Sequence, residues 1–187
     1  MRCFVAISLP DALHAHLAAL SRALRAEPAC RAFRFVADGN AHLTLRFLGD
    51  VEEDTLTHLR GALAVACRGR GALTLQVGGL GAFPGLRRPR VLWVAVDEPT
   101  GALAALQAVV EAAAVGAGLA PETRPFAPHL TLARLRDRHT PPALEGVAAR
   151  SGAPPFGAFT AQGVTLFASE LGAGAPVYRV LEEFPLK

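Results

Sequence analysis

Cysteine is scarce in this chain of 187 residues: Cys3, Cys30 and Cys67 are its whole complement, widely spaced and without a C-x-x-C pair. An odd, scattered set excludes a disulfide framework and a cysteine zinc site, and fits a reducing cytoplasm. Lysine is scarcer still, since every basic residue except Lys187 is arginine. Arginine favours bidentate phosphate contacts, although a compositional bias that also supplies much alanine and glycine explains it first. Charge of either sign is modest, 19 basic against 16 acidic residues for a net +3. That excess suits a phosphate-bearing partner and does not indicate binding to long duplexes. No apolar run is long enough for a membrane anchor: the stretch from Cys3 to Leu9 is cut by Pro10 and Asp11 and reads as a buried strand, and the segment from Gly101 to Ala120 is mostly small alanines interrupted by Gln107 and Glu111. What the chain has in quantity is hydrocarbon, 51% hydrophobic residues with a mean hydropathy of +0.31. This is the composition of a globular, soluble chain forming one compact domain or two small lobes around a shared core.

Periodicity predicts the order of elements. Arg2 to Leu9 reads as a strand, and Pro10-Asp11 opens a helix with Leu13, Leu17, Leu20 and Leu24 on one face. Phe33 to Ala37 and Ala41 to Leu48 read as strands around an Asp38-Gly39-Asn40 turn, and Glu52 to Arg68 as a second helix. A strand at Ala72 to Val77 leads into an expected loop from Gly78 to Pro89. Arg90 to Val96 is a strand, Thr100 an expected N-cap, and Leu103, Leu106 and Val110 mark a third helix. Glu122 to Phe126 and His129 to Leu135 read as strands, Pro142 to Arg150 as a short helix, and Phe159 to Ala168 and Val177 to Phe184 as closing strands about a Gly172-Ala173-Gly174 turn.

The plan repeats. The strand beginning at Arg2 resembles the one beginning at Arg90, an offset of 88, and His42-Leu43-Thr44-Leu45 recurs identically as His129-Leu130-Thr131-Leu132, an offset of 87. Two landmarks at nearly one offset indicate an internal duplication, too long for a solenoid unit and with too few copies for an array. The expected fold is α+β and bilobal, duplicated about a pseudo-two-fold axis over residues 1–187, with the repeat boundary near 78–90. The lone Gly79-Leu80-Gly81 has Pro84 where a dinucleotide fingerprint needs its third glycine, so it reads as loop. There is no G-x-S-x-G elbow, P-loop or H-E-x-x-H.

In a strand alternate residues share a face, so His42 and Thr44 point one way while Leu43, Leu45 and Phe47 point the other, and the second copy does the same. If two such lobes meet, both His-Thr pairs converge in one cleft. Two imidazoles across a cleft suit phosphodiester cleavage: one takes a proton from the attacking oxygen and the other gives one to the leaving oxygen. Threonine is a small donor on the same face, suited to non-bridging phosphate oxygens. A single His-x-Thr is more often a half-buried histidine bonded to a carbonyl; its duplication at equivalent places favours function. A two-histidine metal site is the chemical alternative, but neither motif has a third ligand near it in sequence.

The phrases Ala41 to Gly49 (AHLTLRFLG) and Arg124 to Arg134 (RPFAPHLTLAR) resemble the two signatures of the two-histidine (2H) phosphoesterases, and within them the RNA 2′,3′-cyclic phosphodiesterases, historically called 2′-5′ RNA ligases. The likeness extends over nearly the whole chain. It implies antiparallel sheets lining a central cleft with helices outside, no cofactor and no metal, and RNA or nucleotides with 2′,3′-cyclic phosphates as the partner; no protein partner is inferable. By the resemblance His42 is the general acid, His129 the general base, and Thr44, Thr131 and Arg134 bind phosphate. The expected activity is opening of the cyclic phosphate to a 2′-phosphate, with reversible 2′-5′ ligation or a non-catalytic RNA-end binding protein as alternatives.

Strict alternation puts Arg134 on the leucine face, so its arrival in the cleft requires a bulge, an early strand end or a bend round the rim. Arg46 shares the face of His42 and is a candidate RNA contact, with a solvated place at the rim as the alternative. Phe126 stacks a base or packs in the core. Arg87, Arg88, Arg90, Arg136 and Arg138 are arginines that guide RNA or simply sit solvated in loops.

Overall fold

Hydrophobic periodicity becomes nine strands and four helices in the computed structural model, which describes residues 1–151, 156–170 and 176–186. In chain order these are β1 (Arg2–Ile7), α1 (Asp11–Ala26), β2 (Phe33–Phe35), β3 (Leu43–Asp50), α2 (Glu53–Cys67), β4 (Leu73–Phe83) and β5 (Val91–Asp97). There follow α3 (Ala102–Gly116), β6 (His129–Leu135), α4 (Glu145–Ser151), β7 (Gly157–Ala161), β8 (Gly163–Glu170) and β9 (Val177–Pro185). Pro10, extended in φ and ψ, opens α1 and Asp11 sits in its first turn, where a carboxylate complements the helix dipole. The leucine stripes of α1 and α2 and the Leu103, Leu106 and Val110 face of α3 are buried in one hydrophobic cluster with Val5, Leu43, Leu92, Leu130 and Leu166 of the strands. The three cysteines are free and buried, and burial pushes each thiol pKa up. No described helix is long and apolar enough to cross a membrane.

All strand pairs are antiparallel, in the order β7-β4-β5-β6-β3-β1-β8-β9 with β2 also paired to β6. At its centre the sheet is held by one residue pair, Leu43 with Leu130. Beyond it β3 and β6 diverge, and β2 takes up the vacated side of β6 from Ala133 to Leu135. Two half-sheets therefore meet at the two His-Leu-Thr-Leu strands, and the opening between them is the cleft.

Four local expectations are corrected. Gly78 to Phe83 is strand, not loop: β4 runs on to Phe83 by slipping register past Gly79, whose φ of +81° suits glycine. Glu122 to Phe126 is not a strand, because Pro121, Pro125 and Pro128 remove ladder donors and the Glu122 amide donates to the Glu111 carboxylate at 2.8 Å. Phe159 to Ala168 is two strands, broken at Gln162. Of these, β7 pairs with β4 in one half-sheet and β8 with β1 in the other. Gly101, with φ +83°, holds the N-cap position of α3 in place of Thr100, and Glu98 accepts from the Leu103 amide at 3.0 Å. The expected turn at Gly172-Ala173-Gly174 lies outside the described residues.

Gly81 pairs with Trp93, and a Cβ at that position would overlap the six-membered ring of the indole. Gly81→Ala is expected to push Trp93 aside and to cost about 1–3 kcal/mol, the usual range for overpacking. Urea unfolding followed by the fluorescence of Trp93, the single tryptophan, measures both effects. An unchanged midpoint with unchanged emission would remove this contact from the fold.

Candidate active site

The site depends on one irregularity that occurs in both copies of the motif. Between β1 and β3, Val5 pairs with Arg46 and Ala6 with Thr44, so Leu45 is passed over. Between β5 and β6, Leu92 pairs with Ala133 and Trp93 with Thr131, so Leu132 is passed over. An extra residue in one strand reverses the facing of everything after it. In both strands the histidine and threonine therefore share a face with the fifth residue after the histidine: Phe47 in β3 and Arg134 in β6. The expectation that Phe47 lies on the leucine face is overturned, for the residue is 49% exposed and lines the cleft. The same slip brings Arg134 into the cleft, resolving its conflict with strict alternation.

The slip has the opposite effect on Arg46. It turns inward and is only 8% exposed, its Nε lying 2.6 Å from a Glu111 carboxylate oxygen and its Nη1 3.8 Å from Glu122. Nη1 also donates to the Phe47 carbonyl at 2.8 Å, and Nη2 to the Ala120 carbonyl. Its guanidinium is held by α3 and the segment after it and is not rim-solvated, while the residue still lines the cleft cavity.

His42 and His129 are oriented alike. Each Nδ1 is paired with the carbonyl two residues earlier, Asn40 at 2.9 Å and Ala127 at 2.6 Å. A carbonyl only accepts, so Nδ1 carries the proton and Nε2 is left as the reactive nitrogen. Aromatic rings enclose both. Phe4 stacks on His42 at 4.5 Å and Tyr178 meets it edge-on at 5.2 Å; Phe83 meets His129 edge-on at 5.0 Å. Phe83 and Phe167 hold matching places, each on the strand that flanks its half-sheet's first motif neighbour. Burial pushes the His42 pKa down to about 4, and the positive charges of Arg134 and His129 push the same way, against its bond to the Asn40 carbonyl. His129 is also lowered, by burial first and by Arg134, against its bond to the Ala127 carbonyl. Both rings are thus predominantly neutral at neutral pH.

Arg134 is exposed, has no ion-pair partner among the described residues, and is close enough for its charge to act on His42, His129 and Tyr178 alike. Neither the Thr44 nor the Thr131 hydroxyl has a protein hydrogen-bond partner among the described residues. Thr44, Phe47, Phe83, Phe126, His129 and Arg134 line a cavity of about 430 Å³. His42 lies behind its aromatic neighbours, outside that lining, and Thr131 borders a smaller hollow beside the turn at Asp38 and Gly39. Phe126 is half-buried, packed on the core while lining the cavity. Arg87 is ion-paired with Glu145 at 3.0 Å, and Arg88 and Arg90 are exposed. Sequence reasoning missed the aromatic enclosure of Phe4, Phe83, Trp93, Phe167 and Tyr178. Its members come from five separate strands, so no local pattern in the sequence groups them.

A family model described as the 2′-5′ RNA ligase superfamily matches residues 9–173. The chain belongs to this superfamily. An RNA 2′,3′-cyclic phosphodiesterase of Aeropyrum pernix is 36% identical over 148 residues, 79% of this chain and 83% of that protein. One of Methanothermobacter thermautotrophicus is 30% identical over 186 residues, 100% of this chain and 99% of that one. Among solved structures, TT0787 of Thermus thermophilus superposes with a TM-score of 0.76 at 29% identity, covering 100% of this chain and 98% of that one. E. coli LigT complexed with 3′-AMP gives 0.76 at 30% identity, with 99% and 97% covered. The fold of this chain is α+β with a curled antiparallel sheet, similar to that of these solved structures.

The electrostatics of the pair are open to NMR titration of the histidine ring signals. The His42 ring is expected to titrate near 4 and the His129 ring below 6.5. Inorganic phosphate, an opposite charge between the rings, is expected to raise both, and so is Arg134→Ala, which removes a like charge. A His42 ring titrating at 6.5 would contradict its enclosure.

Proposed function

We propose that the protein hydrolyses RNA 2′,3′-cyclic phosphate ends to 2′-phosphomonoesters, with His42 and His129 as the acid and base and without a metal ion. One observation carries the reading: two identically tethered imidazoles, from the two copies of one motif, share the field of one arginine, Arg134, which has no ion-pair partner among the described residues. Arg134 with the hydroxyls of Thr44 and Thr131 holds the cyclic phosphate. The Nε2 lone pair of His129 takes a proton from water as the water oxygen bonds to phosphorus. The bond from phosphorus to O3′ breaks on the opposite side, and His42 gives its proton to that oxygen. His42 ends neutral and His129 protonated, and exchange with solvent resets them.

His42 must first acquire that proton, which its surroundings oppose in the free protein. The anionic substrate supplies the compensation, since a phosphate beside the imidazolium raises its pKa, the more so behind rings that exclude water. The apolar wall around His42 opposes the charged acid in the free protein and strengthens its attraction to a phosphate once one is bound. The relatives named RNA 2′,3′-cyclic phosphodiesterase support the hydrolytic direction. Ligation to a 2′-5′ bond uses the same groups in reverse, whereas a mere RNA-end binder has no use for two complete His-Thr pairs. We read residues 1–187 as one domain of two duplicated lobes with the repeat boundary near 78–90, working in the cytoplasm, where buried free thiols persist.

With a 2′,3′-cyclic mononucleotide as substrate, His42→Ala and His129→Ala are each expected to lower turnover by about 10²- to 10⁴-fold with the melting temperature retained. Near-normal turnover in either variant would overturn the assignment. Phosphorus NMR of the product is expected to show the 2′-monophosphate; a 3′-monophosphate would mean that the two histidines exchange roles. EDTA is expected to leave the rate unchanged, because no group of three or more His, Cys, Asp or Glu side chains among the described residues is gathered to hold a metal ion. Loss of activity restored by zinc or manganese would revive the metal reading.

A further inference from the structure

The edge of the fold beside β2 carries a concentration of positive charge that the cleft chemistry does not use. Arg25 at the end of α1, Arg31 ahead of β2, Arg34 within it and Arg136 just after β6 surround a hollow of about 430 Å³. All four are exposed, and none has an ion-pair partner among the described residues. Two are braced by other means. The Arg25 guanidinium lies over the Phe35 ring at 5.0 Å, and Arg136 donates to the Arg31 carbonyl at 3.3 Å. Nearby carboxylates leave the group positive: Glu27 is paired with Arg150 at 3.1 Å, and Asp137, exposed and without an ion pair among the described residues, offsets one charge at most.

This patch is joined to the cleft by strand pairing. Arg34 of β2 stands directly opposite Arg134 of β6. Residues directly opposed in an antiparallel pair share a face, and like charges so placed are destabilising. An anion touching both arginines relieves that repulsion. Because Arg134 already serves the reacting phosphate, Arg34 is placed for the next phosphate along a chain, and Arg31 and Arg136 for those beyond it. We infer that the arginines around β2 form a track for the phosphodiester backbone of a single-stranded RNA whose cyclic end occupies the cleft. The inference rests on reading the cleft as an RNA-end site. It adds to that reading a substrate longer than one nucleotide, held by charge along its backbone and without base recognition.

Fluorescence anisotropy of a labelled single-stranded RNA of about 12 nucleotides, ending in a 3′-phosphate and titrated with the whole protein from about 50 to 300 mM KCl, tests this directly. Each phosphate contact on a single strand contributes about 0.7 to the slope of log affinity against log salt. The R31Q/R34Q/R136Q protein is expected to lose about 2 from that slope and roughly tenfold in affinity at the lowest salt. The R31K/R34K/R136K protein keeps the charges and is expected to keep the slope. Turnover of a 2′,3′-cyclic mononucleotide, which has no chain to lay on the track, is expected to stay within about twofold of the unsubstituted protein in both variants, which also shows that they fold. Unchanged affinity and slope in the glutamine variant would overturn the track. So would a loss of mononucleotide turnover matching the loss of RNA affinity, since the arginines would then be acting on the cleft itself. If the unsubstituted protein turns over no cyclic nucleotide, the hydrolytic reading fails, and the binding comparison still decides whether the track exists.

Discussion

A single backbone pairing, Leu43 with Leu130, holds the two halves of the sheet together at the centre, and the site is built outward from it. Both leucines are fully buried in the common core. In a pleated strand that burial obliges the neighbouring histidine and threonine on each side to face away from the helices. The strands then separate, so that no further ladder fills the space between them. Apolar burial on one face and the lack of strand pairing beyond it thus give a cavity whose polar groups are set by the core behind them.

The first consequence is a division of labour between two superficially similar residues. Arg46 and Arg134 both follow a His-Leu-Thr-Leu run, one residue apart in spacing. The passed-over leucine in each strand sends the fourth residue after the histidine inward and the fifth outward. Arg46, at the inward place, meets Glu111 and the segment that leads to Pro125, Phe126 and Ala127, whose carbonyl orients His129. Its burial is tolerable because carboxylates and carbonyls surround it; removing one partner would leave a charge uncompensated. Arg134, at the outward place, has no such partner among the described residues and is available to a ligand. The second copy has Ala133 at the inward place and the first copy has Phe47 at the outward one, so one shared backbone irregularity carries an asymmetric site.

Much of this was legible in the chain itself. The leucine spacing of α1 and α2, the motif strands and the duplicated His-x-Thr follow from local periodicity, which burial of one face enforces. The inward turn of Arg46 was not, because it needs both the bulge and a carboxylate on α3. The non-strand path of residues 122–126 was announced by Pro121 and Pro125, which cannot donate to a ladder. The break at Gln162 was hidden for another reason. The run from Phe159 to Ala168 is strand-like on both sides of Gln162-Gly163, and the destinations of its two parts, far apart in sequence, divide it there.

That break interlaces the halves. β4, encoded in the first half of the chain, belongs to the half-sheet of β5 and β6, while β8 and β9, at the far end, complete the half-sheet of β1 and β3. Neither half-sheet is therefore a contiguous stretch of polypeptide. β1 stays an unsatisfied edge until β8 arrives, so a nascent chain emerging from the ribosome holds an open flank through most of its synthesis. Contacts spanning most of the polypeptide place the fold among those that assemble slowly and late.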